Sequence, residues 1–185
     1  MDQSRPVVFL LVGLPGSGKS TYARALELTG VVRLSVDDVL QARHGRLGKD
    51  YPAERHVSLL GPVVEDVRRQ LIELIRSGRS VVLDHGLGQR RERDDYKQLV
   101  ESLGADWRLL HFRVDQAELR RRLAIRNEDA AFGIIPPETL DWMADVSEEP
   151  HGEGEEIVAA TWPIEPVTVV GLALPSSVQS QERKE

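Results

Sequence analysis

One short segment constrains this chain of 185 residues more than any other. An uninterrupted apolar run over residues 7–12 leads into a turn in which Gly13, Gly18, Lys19 and Ser20 have the spacing GxxxxGKS. Such a run is typical of a strand that is buried on both faces. The glycines allow the backbone to wrap closely, so that its amides and the N-terminus of the next helix form a nest for an anion. The segment therefore predicts a phosphate-binding loop between a strand and a helix.

We assign nucleotide binding to the whole of this loop, that is, to Gly13, Pro15, Gly16, Ser17, Gly18, Lys19, Ser20 and Thr21. Lys19 is expected to reach the β- and γ-phosphates and to act in catalysis, and the Ser20 hydroxyl is expected to ligate Mg²⁺. The alternative is a glycine-rich turn followed by a chance Lys-Ser pair. The strand before the loop and the helix after it favour the phosphate-binding interpretation.

Strand and helix signals alternate along the rest of the chain. Strands are predicted at residues 7–12, 31–34, 80–84, 107–114 and 167–172, and helices at residues 20–28, 62–77, 90–103, 115–126 and 137–144, with a short helix at the Asp37-Asp38 pair. This order predicts an α/β fold of three layers, in which a parallel five-stranded sheet carries helices on both faces. Residues 43–56 are compatible with either a loop or a small helical insertion.

The size and composition predict one domain over residues 1–175 and a flexible tail over residues 176–185. The chain has 24 Lys and Arg, 30 Asp and Glu, a net charge of −6 and no cysteine. The absence of cysteine excludes disulfides and zinc-thiolate sites. No apolar run approaches the roughly 20 residues of a membrane span, and no basic region precedes the first apolar run. We therefore expect a cytoplasmic protein with neither a membrane nor nucleic acid as its partner.

Two carboxylates are candidates for chemistry. Asp84 ends a buried strand, where ligands bind in such sheets, and we expect it to hold Mg²⁺ together with Ser20; capping of the next loop is the alternative. Asp37 is expected to orient an acceptor hydroxyl and take its proton. Asp38 is then a helix cap or a supporting residue, although N-capping is also an alternative for the pair.

Two arginines complete the predicted site. Arg122 and Arg126 are four residues apart and share a helix face, so both are expected to stabilise charge on a transferred phosphoryl group. The alternative for Arg126 is an ordinary cation at the C-terminal end of a helix. The segment of residues 120–137, which contains Gly133 and two prolines, is expected to form a lid.

Four segments in this order resemble small P-loop kinases of the AAA_33 type: GLPGSGKST, RLSVDDVLQAR, VVLDHGLGQRRERDDY and ELRRRLAIRN. Their relatives are polynucleotide 5′-hydroxyl kinase domains, zeta-toxin-like kinases and chloramphenicol phosphotransferase-like proteins. The resemblance covers roughly residues 5–160. It implies a kinase-type sheet, in which the P-loop strand lies beside the strand of Asp84, and it implies ATP as the nucleotide.

The resemblance also implies roles for single residues. Asp37 matches the family's base, and Arg122 and Arg126 match its lid arginines. Leu40 stands where polynucleotide kinases have a phosphate-contacting arginine, and the nearest arginine is Arg43, which weakens the case for a polymeric acceptor. The acidic segment over residues 141–156 resembles the tail segment of the family.

We therefore expect an ATP- and Mg²⁺-dependent kinase that phosphorylates a hydroxyl of a small molecule. One alternative is a polynucleotide 5′-hydroxyl kinase, and another is a nucleotide-binding regulatory or interaction protein with little catalysis. Acids crowd the chain after Arg126; if they line the acceptor pocket, a cationic acceptor such as an amino sugar is expected.

Overall fold

A computed structural model describes residues 5–128, 130 and 133–159. In chain order its elements are β1 (Val7–Val12), α1 (Lys19–Glu27), β2 (Val32–Ser35), α2 (Val36–His44), a 3₁₀ turn (Ala53–Arg55), α3 (His56–Arg76), β3 (Val81–Asp84), α4 (Arg90–Ser102), β4 (Asp106–Arg113), α5 (Gln116–Glu128), α6 (Pro137–Val146) and β5 (Glu155–Ala159).

The five strands form one parallel sheet in the order β2-β3-β1-β4-β5. The strand that leads into the P-loop is central, and the strand that ends in Asp84 lies directly beside it, with Leu10 paired to Leu83. The predicted kinase-type parallel sheet is confirmed. Because all strands run in the same direction, the residues that follow β1, β2 and β3 meet at one edge of the sheet.

Alternate side chains of the sheet enter two separate cores. On one face, Val8, Leu10 and Val12 pack with residues of α2, α3 and α4, which include Val67 and Val100. On the other face, Phe9 and Leu11 pack against Tyr22 and Leu26 of α1. All six residues of β1 are buried, as the uninterrupted apolar run predicts. A smaller apolar cluster of Leu119, Leu123 and Leu140 holds α5 and α6 beside the P-loop.

Two elements differ from the sequence prediction by more than two residues. The helix predicted to begin at Pro62 begins at His56 and contains Pro62 in its interior. Proline is favoured in the first turn of a helix. It can also stand further along a helix, where it lowers the stability. The fifth strand is β5, where no strand was predicted, and the predicted strand at residues 167–172 lies outside the described residues. β5 pairs with β4 at the edge of the sheet, and Ile157 is 60% exposed there. The sequence of β5 therefore lacks the apolar run that is typical of a buried strand.

The segment between α2 and α3 is a compact turn structure with little helix. Leu47 and Tyr51 form an isolated bridge, and a 3₁₀ turn precedes α3. The amide of Gly133 donates to the carbonyl of Leu47 at 3.3 Å, so this segment contacts the chain that follows α5. None of the helices in the described part of the chain is long and apolar enough to cross a membrane.

Candidate active site

The loop between β1 and α1 is shaped by its glycines. Gly16 and Gly18 have φ values of +83° and +100°, which side chains rarely permit. A Cβ on Gly13 would lie 2.7 Å from Ser17 Oγ and 2.9 Å from the carbonyl oxygen of Phe112, so the backbone approaches β4 too closely for another residue. Helix α1 begins without a side-chain cap and without an acid in its first turn. Its free amides and positive dipole end therefore favour an anion.

Lys19 lies across this loop. Its ammonium donates to the carbonyls of Gly13 at 2.6 Å and Leu14 at 2.9 Å. Burial lowers the pKa of Lys19 from 10.5 to about 8, although the negative charges of Asp84 and then Asp37 oppose the shift. A desolvated ammonium held at the mouth of the loop can bind phosphate oxygens directly.

The Ser20 hydroxyl donates to Asp84 Oδ1 at 3.1 Å, which joins residues that are 64 positions apart. The other oxygen of Asp84 accepts from Arg33 Nε at 3.0 Å and from Arg33 Nη2 at 2.7 Å. The remaining Arg33 nitrogen donates to Asp38 at 2.6 Å. The two hydrogen bonds from Arg33 to Oδ2 therefore fix the orientation of Asp84 so that Oδ1 faces Ser20.

These oxygen atoms fit Mg²⁺. This ion is usually held by one or two protein oxygens and completes its octahedral shell with phosphate and water. Ser20 and Asp84 supply two adjacent hard oxygens beside the phosphate loop. Over residues 5–128, 130 and 133–159, no group of three or more histidine, cysteine or acidic side chains is placed to hold a metal by itself. The site therefore suits an ion that arrives with a nucleotide.

Asp37 and Asp38 lie in the first turn of α2, but neither is its cap, because Ser35 accepts the hydrogen bond from the amide of Asp38. Asp38 pairs with Arg33. The negative charge of Asp37 instead opposes the lowering of the pKa of Lys19. Burial and then Asp37 raise the pKa of Tyr51. Burial lowers the pKa of His85, with Glu92 and then Asp37 opposing it. The two acids thus face different groups.

The predicted arginines occupy different environments. Arg122 is 8% exposed; it donates to Glu118 at 2.8 Å and to the carbonyl of Gly16 at 3.4 Å. It therefore lies against the P-loop. Arg126 lies one turn further along α5 and is exposed. Arg43, the arginine nearest to the position of Leu40, forms an ion pair with Asp66 of α3, and Leu40 itself is buried.

A cavity of about 440 Å³ lies next to the loop. Gly13 and Leu14 of the P-loop, Gly88 after β3 and His111 of β4 line it, together with residues 147–150. His111 is 5% exposed, and burial lowers the pKa of its imidazole. Among the residues that the structure describes, no group hydrogen-bonds to Nδ1 of His111.

Much of the acidic segment has structural partners. Glu153 is buried and binds Arg93 at 2.7 Å and Lys97 at 3.3 Å. Asp141 pairs with Arg120, Glu156 pairs with Arg108, and Glu148 accepts from the amide of Arg90 at the start of α4. The contacts of Glu148 and Glu153 fasten the chain before β5 to α4.

The AAA_33 family model, described as an AAA domain, matches residues 8–150. The chain belongs to the AAA_33 family. The family match and the structural neighbours are of the P-loop kinase kind, which agrees with the phosphate-binding loop at residues 13–20.

Three similar proteins add to this AAA_33 match. A UPF0200 protein of Pyrobaculum aerophilum is 33% identical over 97 residues, which is 52% of this chain and 53% of that protein. A chain of the Pnkp1/Rnl/Hen1 RNA repair complex is 26% identical with a TM-score of 0.66, covering 77% of this chain and 44% of the other. A gluconokinase of Sinorhizobium meliloti is 18% identical with a TM-score of 0.62, covering 91% and 89%. This chain thus spans only about half the length of the first two proteins. The similarity to the gluconokinase shows the fold alone.

Two site residues were not predicted from the sequence. Arg33 lies in a short strand, and nothing in the order of residues indicates that it would meet Asp84 of the adjacent strand. The parallel pairing places Ser35 opposite Asp84, so that Arg33 lies two residues before it on the same face. His111 stands among the apolar residues Leu109, Leu110 and Phe112 of β4, and this polar residue within an apolar run was the available signal.

Proposed function

We propose that this protein transfers the γ-phosphate of ATP to a hydroxyl group of a small molecule, with Mg²⁺ bound at Ser20 and Asp84. The observation that carries the proposal is the meeting of Ser20, Asp84 and Lys19 at the mouth of a glycine-shaped loop. Each of these groups has a separate function in phosphoryl transfer, and their convergence is the arrangement that the reaction requires.

Lys19 and the amides of the loop bind the β- and γ-phosphates, and Arg33 keeps Asp84 oriented. The metal, when bound, neutralises charge on the phosphate oxygens. Asp37 accepts the proton of the acceptor hydroxyl. The oxygen of that hydroxyl then forms a bond to the γ-phosphorus as the bond to the β-phosphate oxygen breaks, which leaves ADP. Arg122, beside the carbonyl of Gly16, stabilises charge on the moving group.

The experiment measures ADP formation with Mg²⁺ and a panel of hydroxyl-bearing acceptors. Lys19→Ala is expected to abolish nucleotide binding. Asp37→Asn is expected to retain ADP binding and to lose about 10²-fold or more in transfer, because it removes the general base. Asp38→Asn is the matched control, since Asp38 faces Arg33, and it should lose much less.

Full transfer by Asp37→Asn on an identified acceptor would show that the base is assigned wrongly. Tight ATP binding without transfer to any alcohol of the panel would favour a regulatory nucleotide-binding protein instead.

A second candidate is phosphorylation of the 5′-hydroxyl of a polynucleotide. It is favoured by the 26% identity to a chain of an RNA repair complex. The buried Leu40, the engagement of Arg43 with Asp66 and the net charge of −6 oppose it. An oligonucleotide with a free 5′-hydroxyl belongs in the acceptor panel, and its phosphorylation in preference to small alcohols would establish this alternative.

A further inference from the structure

The order of the strands places one histidine between the two halves of the proposed site. β3 lies between β2 and β1 in the sheet, and His85 directly follows Asp84, the last residue of β3. Asp37 follows β2 by two residues, and the phosphate loop follows β1. Because parallel strands end at the same edge of a sheet, His85 lies between the proposed base and the loop that binds phosphate.

The side chain of His85 lies on the side of the sheet where α2 and α4 begin. Leu83 packs with residues of α2, α3 and α4, and side chains two positions apart along a strand share a face. The alternation therefore directs His85 to the side of Leu83. The charges that act most strongly on the imidazole agree with this placement, because they are those of Glu92 in α4 and Asp37 in α2.

The imidazole of His85 has a hydrogen-bonding capacity that the described residues do not use. It is half-buried, and no side chain or backbone group of the described residues forms a hydrogen bond with it. Burial is the main cause that lowers its pKa. Three carboxylates oppose this shift, of which Glu92 and Asp37 are the first, and the ammonium of Lys19 adds to it. The ring is therefore mainly neutral at pH 7 and offers one N–H donor.

A donor at this position suits the transferred phosphoryl group. In phosphoryl transfer, negative charge spreads over three equatorial oxygens, and fixed donors aimed at them lower the barrier. Lys19 and Arg122 contact the P-loop itself, whereas His85 lies towards Asp37. The N–H of His85 can therefore reach a γ-phosphoryl oxygen from the side on which Asp37 would hold the acceptor hydroxyl.

We propose that His85 is a further catalytic residue, whose imidazole N–H donates a hydrogen bond to a γ-phosphoryl oxygen of the bound nucleoside triphosphate. This inference rests on the proposed function, because it requires a triphosphate at the P-loop. During transfer the acceptor oxygen forms its bond to the γ-phosphorus, the bond from phosphorus to the β-phosphate oxygen breaks, and the acceptor proton passes to Asp37. His85 keeps its own proton throughout, so it stabilises charge without acting as an acid or a base.

The first test compares ADP with the non-hydrolysable analogue β,γ-imido-ATP, each at saturation and with Mg²⁺. The imidazole signals of isotope-labelled histidine are recorded, and the signal of His85 is identified through His85→Gln. The analogue is expected to shift this signal further than ADP does, because only the analogue carries a γ-phosphoryl group. The signal of the exposed His151 should not distinguish the two nucleotides.

Two variants separate a contact with the γ-phosphoryl group from a structural role. His85→Leu removes the donor, and hydrogen bonds to charged groups are among the stronger ones. We therefore expect the affinity for the analogue to fall about tenfold or more and the affinity for ADP to stay within about twofold. His85→Gln keeps an N–H donor and should restore most of the affinity for the analogue. His56→Leu is the matched control, because His56 is also half-buried but hydrogen-bonds to Tyr51, and it should change neither affinity.

The inference is overturned if the analogue leaves the His85 signal where ADP leaves it, or if His85→Leu lowers both affinities by the same factor or lowers neither. Should His85→Leu fail to fold, the signal of the native protein still decides. The two proposals fail separately. A native protein that binds neither nucleotide removes the proposed function, whereas binding of both nucleotides with an equal response of His85 removes only the role of this histidine.

Discussion

Replacing Glu153 by glutamine should destabilise the fold more than any exposed acid would. Its carboxylate accepts from Arg93 at 2.7 and 2.8 Å and from Lys97 at 3.3 Å, and the Arg93 side chain is completely buried. Glutamine preserves the volume and one acceptor but leaves the cations without a counter-charge. Removing one partner of a buried ion pair usually costs about 3–5 kcal/mol.

The lowered pKa of Glu153 leads to a similar magnitude. Hydrogen bonds from Arg93 are the main cause that lowers the pKa of this carboxyl from 4.5 to about 2. The difference corresponds to about 3 kcal/mol in the free energy of unfolding. Because the folded pKa is the lower one, this stabilisation is complete above about pH 4.5 and is lost as the pH falls towards 2.

The assay is urea unfolding of the native protein and of Glu153→Gln at pH 7 and at several pH values down to 3. We expect a loss of about 3 kcal/mol at pH 7, or roughly 6–12 °C in Tm, and a smaller difference at acid pH. Glu156→Gln is the matched control, because the carboxylate of its pair with Arg108 is 44% exposed and such pairs contribute about 0–1 kcal/mol. Equal losses in the two variants, or a loss in Glu153→Gln that does not shrink at low pH, would refute the reasoning.

Two further predictions follow from other parts of the fold. Because the pKa of Lys19 is about 8, its ammonium loses its proton between pH 7 and 9, and ADP affinity measured by calorimetry should fall about tenfold over that range. Lys19→Arg should flatten this pH dependence. An ADP affinity of the native protein that does not change with pH would contradict the prediction. Pro62→Ala should raise the free energy of unfolding in urea by about 2 kcal/mol. An interior proline costs about 3 kcal/mol, and about 1 kcal/mol of this is offset because proline restricts the unfolded chain. A neutral or destabilising result would indicate that α3 begins at Pro62.

The P-loop, the alternation of strands and helices and the position of Asp84 were predictable because each depends on a local pattern. Six consecutive apolar residues indicate a buried strand, and glycines at fixed spacing indicate a phosphate loop. That the P-loop strand lies beside the strand of Asp84 followed from the family resemblance, and the pairing of β1 with β3 confirms it.

The parts that were missed depend on contacts between distant segments. β5 begins with two glutamates, and only the structure shows that Glu155 binds the amides of Gly152 and Glu153 while Glu156 pairs with Arg108 of β4. From the sequence alone, the acidic segment over residues 141–156 shows only a resemblance to the tail segment of the family. Arg33 was missed for a related reason, since its partner lies 51 residues away.

The contacts of Arg33 also have a mechanical consequence. One guanidinium joins the end of β3 to the start of α2, so the carboxylate expected to hold the metal is tied to the helix that carries Asp37. A substrate that enters from this side meets a preset wall. On the opposite flank of the P-loop, the described residues of α5 and α6 pack in a small apolar cluster of their own and are not tied to Asp84 in this way.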